Sequence, residues 1–301
     1  MGLRCCIVQV HYSGSFYPES HSFLLDQLSS DDRLFLRNND SAPIELGPDP
    51  RCHLDQEPRG NLGFVGGCHS GLHWAQEMGF AYALLLNPDI HLESAQLEAL
   101  LQKAQEIGPN WVISPLLLRE DQTIDSAGLI LDQLYRSIDL MQGDANQLKG
   151  FLKVPGLCGA AMLFDLSIFP LADRPEGPFD PDFFAYSEDL EFSLYWHQQG
   201  GKMGILADHP IIHRRGGRSG LSGLANFWTK NPEIARRILV NRWIIIRRWV
   251  PKWKLWPSLP IWLTYEALKW AYLWAKVPAL AKEFPKLWCK AFFPKPQKDR
   301  S

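Results

Sequence analysis

The chain has 301 residues, 46% of them hydrophobic, enough to bury a sizeable core in one large domain with an appendage. Its net charge of −2 conceals an asymmetry: residues 230–301 hold sixteen basic and four acidic residues, so this tail carries +12 and the first 229 residues −14. No charge-free apolar run reaches bilayer-spanning length, no secretory leader is evident, and the six cysteines (Cys5, Cys6, Cys52, Cys68, Cys158, Cys289) show neither a disulfide framework nor zinc spacing, which reads as a reducing, cytoplasmic setting.

In chain order, Arg4 to His11 reads as a strand leading to a turn at Ser13-Gly14-Ser15, a helix follows from about Glu19 to Leu28, and Arg33 to Arg37 reads as a second strand ending in Asn38-Asn39-Asp40-Ser41. This opening predicts a parallel strand–helix–strand unit. No glycine fingerprint follows the first strand, which excludes a nicotinamide-dependent dehydrogenase. Gly60 to Gly67 is glycine-rich and leads into a helix expected over roughly Ser70 to Gly79, and glycines before a helix N-terminus let backbone N–H groups approach a phosphate.

The chain is organised around Tyr82 to Asp89. Its apolar run fits a strand covered on both faces, and Pro88 stops it. Ligands in open α/β sheets sit beyond the carboxyl ends of the strands, where Asn87 and Asp89 would project. The bland alternative makes Asp89 the cap of the next helix, expected from about Glu93 to Ile107. Strands are then predicted at Trp111 to Leu116 and Val154 to Phe164, with Ser126 to Leu131 as an excursion to the sheet edge.

Next comes Phe179 to Asp189, where the aromatic residues Phe183, Phe184 and Tyr186 precede two adjacent acids, Glu188 and Asp189, at the start of a helix over Leu190 to Gln199. Ser187 at the N-cap and acids in a first turn explain one acid structurally, whereas an acid against an aromatic wall also suits a shifted pKa. Met203 to Ala207 reads as a short strand, followed by His213 and the basic, glycine-rich Arg214-Arg215-Gly216-Gly217.

Taken together, the Asn61-Leu-Gly-Phe-Val-Gly-Gly67 element, the Leu-Leu-Asn-Pro-Asp strand end, the Gly159-Ala-Ala-Met-Leu strand, the Phe179 to Asp189 loop and His213 resemble the family 2 glycosyltransferases of type-A fold, in their rhamnosyltransferase-like branch. The resemblance spans about Cys5 to Ser219 and rests on order and spacing. It implies a Rossmann-like α/β fold with a mostly parallel central sheet, and inverting transfer of a sugar, rhamnose among the candidates, from a nucleotide-diphosphate donor to a glycan or lipid-linked acceptor. It also implies Asp89 and His213 as contacts to Mg²⁺ or Mn²⁺ and Asp189, beside Glu188, as the general base. Tyr12, Asn38, Asn39, Asn61, Gly63, Gly66, Gly67 and Asn87 would line the donor, and Gly159, Phe184 and Tyr186 the acceptor. Where the family usually has Asp-Asn against the nucleobase this chain has Asn38-Asn39, which can hydrogen-bond a pyrimidine edge without charge. A catalytically inactive, membrane-associated binding protein of the same fold is the alternative.

Residues 1–229 are thus expected to form the catalytic domain and 230–301 a helical segment holding eight of the twelve tryptophans. Arg236, Arg237, Arg247 and Arg248 fall on one side of a helix over Pro232 to Val250, with Arg242 intruding on its apolar face; Pro260 to Val277 is apolar nearly all round. Five prolines (Pro251, Pro257, Pro260, Pro278, Pro285) are expected to cut the segment into short pieces. Tryptophan-rich faces edged with lysine and arginine predict helices lying in the plane of an anionic membrane, on its cytoplasmic side, rather than nucleic-acid binding, while packing or oligomerisation is the alternative use.

Overall fold

A computed structural model describes residues 4–12, 18–56, 60–140, 147–169, 171, 173–214 and 232–293. The chain divides into two compact units, Met1–Ile130 with Asp139–Gly217, and Leu131–Ile138 with Arg218–Ser301.

In the first unit the expected parallel opening is present. Strand β1 (Cys5–His11) and β2 (Arg33–Asn38) pair in parallel around helix α1 (Pro18–Gln27), although the Ser13 to Ser15 turn lies outside the described residues. They belong to a ten-stranded sheet completed by β3 (Cys52–Asp55), β4 (Tyr82–Leu86), β5 (Ile90–His91), β6 (Trp111–Leu118), β7 (Ile124–Ser126), β10 (Phe151–Lys153), β11 (Ala161–Asp165) and β12 (Lys202–His213); β8 (Leu129–Leu131) and β9 (Ser137–Asp139) form a separate two-stranded sheet. The order is β10-β12-β6-β11-β4-β1-β2-β3, with β5 added to β12 and β7 to β6. The pairs β3–β2, β2–β1, β1–β4 and β6–β12 run parallel, and β11 is antiparallel to both of its neighbours.

Strand alternation divides the core into two layers. Cys5 and Ile7 of β1 and Leu84 and Leu86 of β4 pack with Leu24 and Leu25 of α1 and with Leu97, Leu100 and Leu101 of α3 (Ser94–Ile107). Val8 and Val10 face α2 (Gly63–Glu77) on the other side. Helix α2 therefore starts seven residues before the expected Ser70, and its glycines are packing residues. A Cβ on Gly67 would lie 2.7 Å from Val10 Cγ1, and one on Gly71 would strike Val8 and come within 2.9 Å of Phe35.

Two strand expectations need correction. The stretch expected as one strand from Val154 to Phe164 is interrupted: β10 ends before it, and only Ala161–Asp165 joins β4, because Pro155 has no N–H and Gly156 lets Leu129 and Ser193 press against its backbone. The strand expected at Met203 to Ala207 runs on to His213, since the turn-like Asp208-His209-Pro210 is absorbed by a register shift against β6 between Leu206 and Ile211.

The second unit holds α5 (Pro232–Trp249), α6 (Lys252–Lys276) and α7 (Pro278–Phe292) around Leu239, Trp243, Ile246, Leu273, Leu280 and Phe284. The intruding Arg242 is buried and satisfied: it pairs with Glu266, and its Nε donates to the Tyr135 carbonyl at 2.9 Å. Contrary to expectation, Pro257 and Pro260 lie inside α6 and Pro285 inside α7, so only Pro251 and Pro278 mark helix starts. Helix α6 tolerates its prolines because the residues whose carbonyls lose a donor, Trp253 and Trp256, are exposed. Among the described residues no helix is long and apolar enough to cross a membrane.

Candidate active site

Strand β4 delivers Asn87 and Asp89 to the sheet edge through a tight turn in which Asn87 N–H donates to the Ala160 carbonyl (2.8 Å) and Ile90 N–H to the Asn87 carbonyl (3.1 Å). Ile90 then pairs with His213 at the end of β12, and Arg214 N–H donates to the Asp89 carbonyl at 2.9 Å. This ladder sets the side chains of Asp89 and His213 together, Oδ1 to Nε2 at 3.3 Å. Asp89 is not the cap of α3; the residue preceding that helix is Glu93, whose N–H donates to Gln96 Oε1 at 2.8 Å.

The other ring nitrogen of His213, Nδ1, lies 2.9 Å from Oδ2 of the fully buried Asp125 on β7, whose Oδ1 faces Arg119 Nε at 3.2 Å. Burial alone would lower the pKa of His213, but its hydrogen bonds to Asp125 and Asp89 outweigh burial and raise it to about 9. Physically, a ring whose Nδ1–H serves Asp125 turns an acceptor, Nε2, towards a second acceptor, the Asp89 carboxylate. Such a pair calls for a cation between its members, either a proton or a metal ion. Among the described residues no group of three or more His, Cys, Asp or Glu side chains is arranged to hold a metal. The donor set of one carboxylate and one imidazole, oriented by a second carboxylate, still fits a divalent ion that draws its other ligands from phosphate and water.

Asp189 reaches the same sheet edge from α4 (Glu188–Gln198). Gly159, just before β11, donates its N–H to Asp189 Oδ2 at 3.0 Å, while Leu190 N–H donates to Oδ1 at 2.7 Å. A side chain at Gly159 would put its Cβ 3.3 Å from the Asp189 Cβ, so glycine gives the carboxylate its seat. Burial raises the Asp189 pKa against the pull of these amides, with Asp139 adding to the rise. Burial and then Asp189 push Glu188 up, to about 8, and its Oε2 has no hydrogen-bond partner among the described residues. Ser187 occupies the N-cap position without a side-chain bond, and both Tyr186 and Ser187 adopt positive φ, at 72° and 66°. Two consecutive non-glycine residues in this region are costly and turn the acid pair and the exposed Tyr186 out of the ordinary helix approach.

The remaining candidates are spread around α2. Asn61 Oδ1 accepts from Gly63 N–H (2.8 Å), and the Phe184 carbonyl accepts from Val65 N–H (3.3 Å), so the aromatic loop itself caps this helix. Gly63, at φ 73°, leaves no room for a Cβ beside Phe184, and Gly66 would meet Leu62. Asn38 is engaged with the backbone of Asp40 and Ala42, and Asn39 with Arg37, Leu62 N–H and the Gly63 carbonyl, so both amides brace loops. Tyr12 is exposed at the end of β1. Sequence reasoning missed Asp125 and Arg119. Their signal was an acid in a short apolar strand segment, Ile124-Asp125-Ser126, where a charge needs a partner.

No protein-family model matches the chain, and no curated protein matches it in sequence. Among solved structures it is similar to GalNAc-T7 with UDP, GalNAc and Mn²⁺, with a TM-score of 0.57 and 14% identity over 81% of this chain and 50% of that one. The chain thus spans about half the length of that protein. With the sheet order and this likeness together, the chain has the type-A glycosyltransferase fold, a mixed α/β architecture with a mostly parallel central sheet.

Proposed function

We propose that the protein is a divalent-metal-assisted, inverting glycosyltransferase that moves a sugar, rhamnose among the candidates, from a nucleotide-diphosphate donor to a hydroxyl of a glycan or lipid-linked acceptor. The observation that carries this reading is the Asp89–His213 pair, backed by Asp125, at the sheet edge where Gly159 seats Asp189. Asp89 and His213 would hold Mg²⁺ or Mn²⁺, which when bound offsets the charge of the leaving diphosphate. Asp189 takes the acceptor's proton: two amides fix its oxygens, and its raised pKa makes it a stronger base than an ordinary carboxylate. Phe184 and Tyr186 would provide the apolar wall for the acceptor, and Asn87 a polar contact to the donor. The basic, tryptophan-rich C-terminal segment supports attachment to an anionic membrane, within reach of such acceptors.

The test screens nucleotide-diphosphate sugars with Mn²⁺ or Mg²⁺ for thermal stabilisation, since a true donor shifts unfolding by mass action, and then assays transfer with the donor found. Asp189→Asn should keep donor binding and lose transfer by about 100-fold or more. Near-normal turnover would remove Asp189 from the reaction. Donor binding without transfer in the unaltered protein would mark it as a binding protein.

A further inference from the structure

Helix α6 turns its one acid inward among apolar neighbours. Its buried residues are Trp262, Glu266 and Leu273, and Glu266, the only acid in the helix, pairs with Arg242, accepts from Lys269 Nζ at 3.0 Å and from Trp243 Nε1 at 3.2 Å. The opposite face is apolar and open: Trp253 is 70% exposed, Trp256 71%, Ile261 67%, Leu263 48%, Leu268 66% and Trp274 44%. At 100° per residue these side chains share an arc about 160° wide. The other residues in that arc are proline, alanine and threonine only, without a charge. Lys252 and Lys254, both exposed, stand about 20° beyond its two edges, and Lys276, also exposed, about 60° beyond.

From this we infer that the outward face of α6 is the surface that enters the interface of an anionic lipid bilayer, with the helix axis in the membrane plane. The inference deepens the membrane attachment proposed above and rests on it. An exposed apolar band of this width with three tryptophans and no acid has the form of an interfacial helix, and the lysines at its borders sit where lipid phosphates would meet them. A second copy of the chain is disfavoured as the occupant, because it would bring one +12 segment against another. The buried Arg242–Glu266–Lys269 cluster explains how the arrangement persists: rotating α6 to hide its tryptophans would strand Arg242 without its acid.

The experiment is co-sedimentation of the full chain with vesicles of phosphatidylcholine alone or with phosphatidylserine. It compares the unaltered protein, a triple variant (Trp253→Ser, Trp256→Ser, Leu268→Ser) and a control, Met78→Ser, which removes a similarly exposed apolar side chain from the other unit. All three sites of the variant are open to solvent, so its melting curve should match that of the unaltered chain. The expected result is binding to the serine-containing vesicles that falls about tenfold or more in the triple variant and is unchanged in the control. Equal binding by variant and unaltered chain would overturn the inference. So would failure of the unaltered chain to sediment with the serine-containing vesicles at low salt, or self-association without vesicles that the triple variant abolishes. Stabilisation by the screened nucleotide-diphosphate sugars with Mn²⁺, measured on the same proteins, reads the catalytic unit separately: its absence with all of them would count against the glycosyltransferase reading and leave the vesicle result standing.

Discussion

At His213 the two ring nitrogens face different carboxylates, and replacing each acid should leave a different trace. If Asp89 and His213 hold the metal as proposed, Asp89→Asn removes a charge from the open side of the pair and should abolish Mn²⁺ binding with little effect on folding. Asp125→Asn removes the buried acid that orients the ring, so Mn²⁺ affinity should fall about 10- to 100-fold while the ligands remain. Mn²⁺ titration followed by electron paramagnetic resonance distinguishes the two; equal affinity in Asp89→Asn and the unaltered protein would dismiss the pair as a metal site. Glu188 has its own signature, in stability. Its folded pKa stands above the ordinary value, so it binds a proton in the folded chain that the unfolded chain has already released. Stability is therefore whole below pH about 4.3 and declines as pH rises towards about 8. Glu188→Gln keeps the shape and removes the titration. Chemical denaturation should find Glu188→Gln gaining on the unaltered protein as pH rises from 5 to 8.

Elements fail or hold in the sequence according to whether their causes are local. Strand β4 was legible, because five consecutive buried residues with a proline two positions on admit few readings. The start of α2 was not: a run of glycines looks like a breaker until the strand behind it is known, and here Val8, Val10 and Phe35 fill the space that side chains would need. This gives the glycines an unusual sign. Gly71→Ala should gain about 1 kcal/mol of helix propensity yet lose stability by a net of about 1–3 kcal/mol, measured by denaturant unfolding, because its Cβ would strike Val8. A neutral or stabilising result would mean that β1 yields to the helix. The neighbours that the structure brings together in the candidate site were legible to the same degree. Asp89, His213, Asp189 and Gly159 stand in recognisable strings, whereas Asp125 is tied to His213 across 88 positions of sequence and nothing near it announces the pairing. Ser187 shows the opposite limit, since a residue suited to capping occupies the N-cap in a left-handed conformation with no side-chain bond. In α6 the nearly all-round apolar character was visible, but which side would be buried depended on Arg242 in another helix.

Over the whole molecule, composition set an acidic N-terminal portion apart from a basic, tryptophan-rich remainder. It could not anticipate that the short hairpin segment Leu131–Ile138 belongs with the C-terminal helices, because that association depends on the Leu134 and Tyr135 carbonyls receiving Arg242, more than a hundred positions away. Strand β12 carries a further consequence. It is the last strand of the sheet in the chain, yet it lies between β6 and β10 and also pairs with β5, the two residues that follow Asp89. A ribosome releasing the chain from its N-terminus therefore emits Asp89 long before the imidazole that faces it. Until residue 213 emerges, β10 has no neighbour and the outer edge of β6 is bare. The facing of Asp89 and His213 is completed only when β12 has emerged, so a nascent or prematurely ended polypeptide has the acid without its histidine and, on the reading proposed above, lacks the pair that would hold the cation.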